Sequence, residues 1–99
     1  MVAAYSNKDM KHVAEIRELV EKYNIGGLIF MQGTAEAQAE QTNAFQKMSK
    51  VPLLIGMDAE WGLGMRLKGV DDFPRQIMLG AMKDTSLVYK MAQAIAYQC

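Results

Sequence analysis

The stretch that decides the fold is an apolar run that ends in a carboxylate, Val51-Pro52-Leu53-Leu54-Ile55-Gly56-Met57-Asp58. No polar residue interrupts the run before Asp58, which is typical of a buried strand in a parallel sheet. Pro52 suits the beginning of such a strand, because its missing N–H would interrupt a hydrogen-bonded ladder further in. We therefore predict a buried strand here with Asp58 at its carboxyl end.

Two similar apolar runs precede this one, Met1 to Tyr5 and Gly27 to Met31. The second has no polar residue to give it a solvent face, so we expect both faces of that strand to be covered. The three runs begin about 25 residues apart, which is the spacing of βαβ units with parallel strands and right-handed crossovers.

The segments between the runs have helical periodicity. Ser6 and Asp9 have the spacing of a capping box, which predicts a first helix that ends near Tyr23. Thr34 is the predicted N-cap of a second helix that ends near Lys50.

A loop from Ala59 to about Asp72 follows, and Asp84 is the predicted N-cap of the last helix. The fold class is therefore α/β, a parallel βαβαβα segment. A complete eight-unit barrel needs about 250 residues, so 99 residues correspond to about three units of a TIM-type barrel. Because Cys99 falls within the last helical pattern, we expect residues 1–99 to form a single partial domain. Its open sheet edges favour self-association.

Composition excludes several classes of function. Eleven basic and eleven acidic residues balance, so no cationic surplus is present to neutralise the phosphates of a nucleic acid. No apolar run has the roughly 18 residues that cross a bilayer. One histidine and one cysteine cannot supply a zinc site, and no cofactor-binding motif is present. We expect His12 to be an exposed helix residue without a catalytic role.

Polar residues that follow the strands are the candidate site residues, because loops at the carboxyl ends of parallel strands converge over one face. They are Ser6, Asn7, Gln32, Asp58 and Glu60. An ionised carboxylate after a buried strand can accept hydrogen bonds from two substrate hydroxyls. The alternative for Asp58 is a structural role in a turn or in an ion pair with Arg66.

The residues that follow Asp58 are also candidates for either a binding or a structural role. Trp61 either stacks on a sugar ring or anchors the loop by packing. Asp58 and Glu60 are too close in sequence to be a glycosidase's two catalytic carboxylates, which stand on opposite sides of the scissile bond. We expect Gly62 and Gly64 to let the loop bend tightly.

The chain resembles the N-terminal barrel domain of glycoside hydrolase family 3, and among its members bacterial β-N-acetylhexosaminidases and β-glucosidase-like proteins. The resemblance spans nearly the whole chain. The stretches that carry it are Gly26 to Phe30, Val51 to Glu60, Phe73-Pro74, Leu79-Gly80-Ala81 and Asp84.

The resemblance implies a retaining β-glycosidase that forms a covalent glycosyl intermediate on an aspartate. The aspartate that matches Asp58 binds sugar hydroxyls in that family. Arg66 matches a later arginine of the motif, and we assign it a supporting position. Leu63 stands where hexosaminidase-type members have a basic residue, and Trp61 where they have glycine. The family's nucleophile and its histidine-containing acid/base loop have no match among these residues. The resemblance therefore implies an inactive N-terminal fragment whose parent protein is compatible with export.

Two other functions remain open. The chain could be a carbohydrate-binding or self-associating α/β module without catalysis. It could also be an unrelated phosphate-binding domain, which would hold its anion at a helix start such as Thr34 or Asp84.

Overall fold

The computed structural model describes all of residues 1–99 as alternating strands and helices. In chain order the elements are β1 (Val2–Ala4), α1 (Met10–Glu21), β2 (Gly27–Phe30), β3 (Gly33–Thr34), α2 (Ala35–Met48), β4 (Leu54–Met57), a 3-10 helix (Leu63–Met65), β5 (Leu67–Lys68), α3 (Gln76–Leu79) and α4 (Thr85–Gln98).

Three strands form a parallel sheet in the order β1-β2-β4. Leu28 of β2 lies in register with Val2 on one side and with Ile55 on the other. The outer edges of β1 and β4 have no strand partner. The predicted α/β class with parallel strands is confirmed, and the arrangement is that of part of a TIM-type barrel.

The third strand begins at Leu54 rather than at Val51. The residues before it are held by helix α2 instead of by a ladder. The side-chain amide of Gln46 donates to the Leu53 carbonyl and accepts from the Leu53 N–H, both at 2.8 Å. Leu54 then donates to the Gly26 carbonyl at 3.0 Å, which starts the pairing with β2.

Helix α1 is capped by Asp9 alone, whose Oδ1 accepts the His12 N–H at 3.1 Å. The capping-box prediction is therefore wrong for Ser6, which is buried and donates its backbone N–H to the Gln32 carbonyl at 3.0 Å. Continued β1–β2 pairing holds Ser6 and keeps it out of the helix. The helix ends at Glu21, and Asn24 takes a left-handed φ of 49°.

The other predicted caps are confirmed. Thr34 Oγ1 accepts the Ala37 N–H at 3.3 Å, and Asp84 Oδ1 accepts the Ser86 N–H at 2.9 Å. The sequence did not predict β3, β5, the 3-10 helix or α3, which are all very short. Strands β3 and β5 form a separate parallel pair, with Gly33 opposite Leu67.

The core lies between one face of the sheet and helices α1 and α2. Its central side chains are fully buried: Val20, Leu28, Phe30 and Phe45. The opposite sheet face is open at the outer strands, where Ala3 on β1 is exposed and Leu54 on β4 is 66% exposed. On β2 itself every residue is buried except Ile29, which is half-buried, so the expectation that both faces of this strand are covered is confirmed apart from Ile29.

The chain as a whole exposes more surface than its size predicts. Its accessible area is 6780 Å², whereas scaling for a monomer of this mass gives about 5,600 Å². Helix α4 contains no buried residue, and Tyr97 on it is 93% exposed. The excess lies on α4 and on the uncovered face of the sheet.

Gln46 tests how α2 holds the beginning of β4. We expect Gln46→Leu to lower the free energy of unfolding by about 2 to 4 kcal/mol, because both backbone groups of Leu53 lose their partners in a buried position. Urea denaturation measures this. Gln46→Glu keeps the acceptor and should cost less. Gln93→Leu, on the exposed part of α4, is the control and should change stability by less than about 0.5 kcal/mol. Equal effects for the two leucine variants would contradict the assignment.

Asp84 provides a test by pH. Hydrogen bonds from the Ser86 hydroxyl and then from the Ser86 N–H lower the pKa of Asp84 below its ordinary value of 3.8. Because the folded pKa is the lower one, the ionised cap stabilises α4 above pH 3.8 and loses this effect as pH falls through the folded pKa. The Ser86 amide should titrate by NMR with a midpoint below 3.8. Asp84→Asn keeps a cap and should show no such step. A midpoint above 3.8 would contradict the contact.

Candidate functional site

The carboxyl ends of β1, β2 and β4 lie along one edge of the sheet, as their parallel pairing requires. Met31 donates its N–H to the Ala4 carbonyl at 3.0 Å, so the pairing of β1 with β2 continues past their last strand residues. Ser6 takes part in this pairing through both of its donors, since its hydroxyl as well as its N–H donates to the Gln32 carbonyl, the hydroxyl at 3.4 Å. Its role is structural. The side chains of Asn7 and Gln32 are exposed at the same edge.

Asp58 directly follows β4 and is bound by Arg66. Nη2 of Arg66 lies 2.5 Å from Asp58 Oδ2, and Nε donates to the Asp58 carbonyl at 3.0 Å. Arg66 therefore fixes both the side chain and the backbone of Asp58. The Asp58 side chain remains 42% exposed and that of Arg66 20% exposed. Asp58 Oδ1 makes no hydrogen bond within the chain.

A folded loop brings Arg66 back to Asp58. Gly62 donates its N–H to the Ala59 carbonyl at 3.0 Å, and the 3-10 helix then turns the chain so that Arg66 donates to the Leu63 carbonyl at 2.9 Å. Pairing of β5 with β3 fixes the far end of the loop. The sequence suggested the Asp58–Arg66 pair only as an alternative, because nothing in its pattern signals the two-residue strand that positions Arg66.

Gly62 is required by a close approach as well as by its backbone. Its φ is 92°, and a Cβ on it would lie 2.7 Å from Phe73 Cδ2. At Gly64 a Cβ would collide with the Asp72 carboxylate. The segment from Asp71 to Phe73 thus lies directly over this loop. The predicted tight bend is confirmed at Gly62, where the packing of Phe73 is a second reason for glycine. At Gly64 the close approach of the returning chain is the reason.

Trp61 and Glu60 make contacts with the segment that contains α3. The Arg75 guanidinium lies 5.0 Å from the centroid of the Trp61 ring, within the range of a cation–π contact. Gln76 Nε2 donates to the Glu60 carbonyl at 2.5 Å. Trp61 is half-buried and Glu60 is exposed. The structure thus gives Trp61 an anchoring contact, and one face of its ring lies against Arg75.

His12 is not the exposed helix residue that the sequence predicted. It is half-buried, its Nε2 accepts the Tyr5 N–H at 3.1 Å, and its ring lies edge-on to that of Tyr5 at 5.6 Å. Its imidazole therefore holds the end of β1 in place. The contact joins the first turn of α1 to the strand, which sequence periodicity alone does not reveal.

A mainly apolar cavity lies away from the candidate site. It has a volume of about 670 Å³ and lies between α2, β4 and the end of α4. Most of the side chains that line it are apolar, and Asp58 is not among the lining residues. A smaller polar cavity of about 500 Å³ lies at the carboxyl edge and is lined by Arg66. The polar chemistry therefore gathers at the strand ends.

No group of three or more histidine, cysteine, aspartate or glutamate side chains is arranged to hold a metal ion. None of the helices is both long and apolar enough to cross a bilayer.

Two comparisons with known proteins were informative to different degrees. The search of curated proteins finds no match. The family model described as the glycosyl hydrolase family 3 N terminal domain matches residues 1–99, which is the whole chain. With its parallel strands, its alternating helices and a carboxylate at the end of β4, the chain belongs to glycosyl hydrolase family 3 as an N-terminal domain sequence.

Proposed function

We propose that this chain carries the sugar-recognition half of a retaining β-glycosidase site, in which Asp58 binds hydroxyls of a terminal β-linked sugar. The parent substrate would be a β-N-acetylhexosaminide or a β-glucoside. The observation that carries the proposal is the orientation of Asp58 by Arg66, which leaves one carboxylate oxygen unpartnered at an exposed strand end.

The two carboxylate oxygens have different tasks in this proposal. Oδ2 is taken by Arg66, so the carboxylate does not rotate freely. Oδ1 faces no partner within the chain and can accept from a sugar hydroxyl. Hydrogen bonds to an ionised acceptor are about twice as strong as neutral ones. A fixed carboxylate also loses less side-chain entropy when a ligand binds.

Trp61 supplies the apolar part of the site. Its indole ring can cover one face of a sugar, while Arg75 holds the other face of the ring through the cation–π contact. Glu60 has a supporting role, since its carbonyl binds Gln76 and so ties the loop to the next segment. The ligand-binding set is therefore Asp58 with Trp61, supported by Arg66 and Glu60.

We propose that residues 1–99 form one partial domain. This domain alone should not cleave glycosides. Glycosidases of this type need a second carboxyl group about 5 to 5.5 Å from the first. Glu60 is exposed and follows Asp58 too closely in the chain to face it across a sugar. His12 is engaged with the Tyr5 N–H. Neither residue is placed to act as nucleophile or as acid/base.

Titration with N-acetylglucosamine and glucose, followed by NMR, tests this function. We expect Asp58→Ala to weaken binding of the favoured sugar at least about tenfold, because a hydrogen bond to a charged acceptor is lost. Arg66→Met should weaken it as well, by releasing the carboxylate. Asp71→Ala is the matched control, because Asp71 is an exposed aspartate of the same loop region, and it should bind like the unmodified chain.

Two results would overturn parts of this proposal. If neither sugar binds, recognition by Asp58 is wrong. If the chain hydrolyses a chromogenic β-N-acetylglucosaminide at a rate near that of an intact family member, its catalytic silence is wrong.

A second candidate function is a self-associating module without sugar recognition. The unpaired outer edges of β1 and β4 favour it, because a free strand edge can pair with a second copy of the chain. Sedimentation velocity separates the two functions. A dimer that forms in the absence of sugar and does not bind sugar would favour association, whereas a monomer that binds sugar would exclude it.

A further inference from the structure

The polar cavity at the strand ends has an unusual lining. Its volume is about 500 Å³, and it lies between the ends of β1 and β2 and the β3–β5 pair. Five lining residues carry polar side chains, and they come from three segments of the chain: Asn7, Gln32, Thr34, Arg66 and Lys68. Two of them are cationic, and no aspartate or glutamate lines the cavity.

The positive charge in the wall is only partly neutralised. Arg66 is paired with Asp58. Lys68 has no carboxylate within 4.0 Å, since the only ion pairs in the chain are Lys22–Glu18 and Arg66–Asp58. Thr34, the N-cap of α2, also lines the cavity and brings the positive end of that helix to the wall. The cavity therefore suits an anionic group.

The backbone at this position is well fixed. Lys68 pairs in register with Thr34 in the β3–β5 ladder, and Gly33 donates its N–H to the Arg66 carbonyl at 3.3 Å. Gly33 itself packs so closely on Ser6 that a Cβ there would collide with the Ser6 hydroxyl. Lys68 is thus an exposed side chain on a constrained backbone, so its ammonium group can move to a ligand without rearrangement of the wall.

Arg66 connects this cavity to the proposed sugar site. Arg66 lines the cavity, and its guanidinium binds Asp58. We propose that the cavity is a subsite for a carboxylate carried by the sugar ligand, with Lys68 as its charge partner and with Asn7 and Gln32 as hydrogen-bonding groups. This inference rests on the proposed function, because the same ligand would place its hydroxyls at Asp58.

The test compares two sugars that differ in one group. Glucuronate and glucose are titrated into the 99-residue chain in a phosphate-free buffer, and the amide signals of Gly33, Thr34 and Lys68 are followed by NMR. We expect glucuronate to bind about fivefold more tightly than glucose, the effect of roughly one exposed ionic contact. The difference should shrink as salt is added, because exposed charges are screened.

Matched lysine variants assign the effect. Lys68→Gln should remove the preference for glucuronate and leave glucose binding unchanged, since Lys68 is exposed and its backbone pairing is retained. Lys83→Gln is the control, because Lys83 is also exposed but lies outside both described cavities. It should leave the preference intact.

The possible results separate this inference from the proposed function. Equal binding of both sugars, unchanged in Lys68→Gln, would overturn the subsite and leave the proposed function standing. If neither sugar binds, the proposed function fails, and a titration with inorganic phosphate then tests whether the cavity binds an anion at all. Phosphate-induced shifts at Gly33 and Lys68 that vanish in Lys68→Gln would support an anion site that acts without a sugar. Absence of such shifts would overturn the anion site too.

Discussion

The pairing of β2 on both sides is the constraint on which the rest of the structure depends. It is the only strand with two neighbours, and its register places Leu28 and Phe30 toward the helices. A slip by one residue would turn these side chains to the uncovered face and remove the core. The same register aligns the carboxyl ends of all three strands. The position of Asp58 at the rim is thus a consequence of how β2 packs.

The small β3–β5 pair completes the site in a different way. A loop that follows a strand is free to move unless something fixes its far end. Here β5 is hydrogen-bonded to β3, and the 3-10 helix shortens the path so that Arg66 returns to Asp58. Asp58 and Arg66 therefore lie at the two ends of one loop, and the pairing of β5 with β3 holds them together. The geometry of the candidate site depends on both the three-stranded sheet and the β3–β5 pair.

Sequence patterns predicted those features that depend on long or strongly apolar segments. The three strands, the caps Thr34 and Asp84 and the parallel order follow from apolar runs and local capping chemistry. Two-residue strands have no periodicity, so the β3–β5 pair was not predictable. His12 was wrongly expected to be exposed because its partner, the Tyr5 N–H, lies on another element. Contacts between elements decide such cases.

The open shape of the rim determines what kind of recognition this chain can support. Apolar burial contributes in proportion to the area removed from water, and a ligand at Asp58 would leave one side in solvent because the sheet face beyond it is uncovered. Little affinity can then come from enclosure. Directional contacts with charged groups that are already held in place lose less on binding. Asp58, fixed by Arg66, meets that requirement. Under the proposed function, discrimination between ligands would therefore depend on the hydroxyls and charges that the ligand presents and much less on its size.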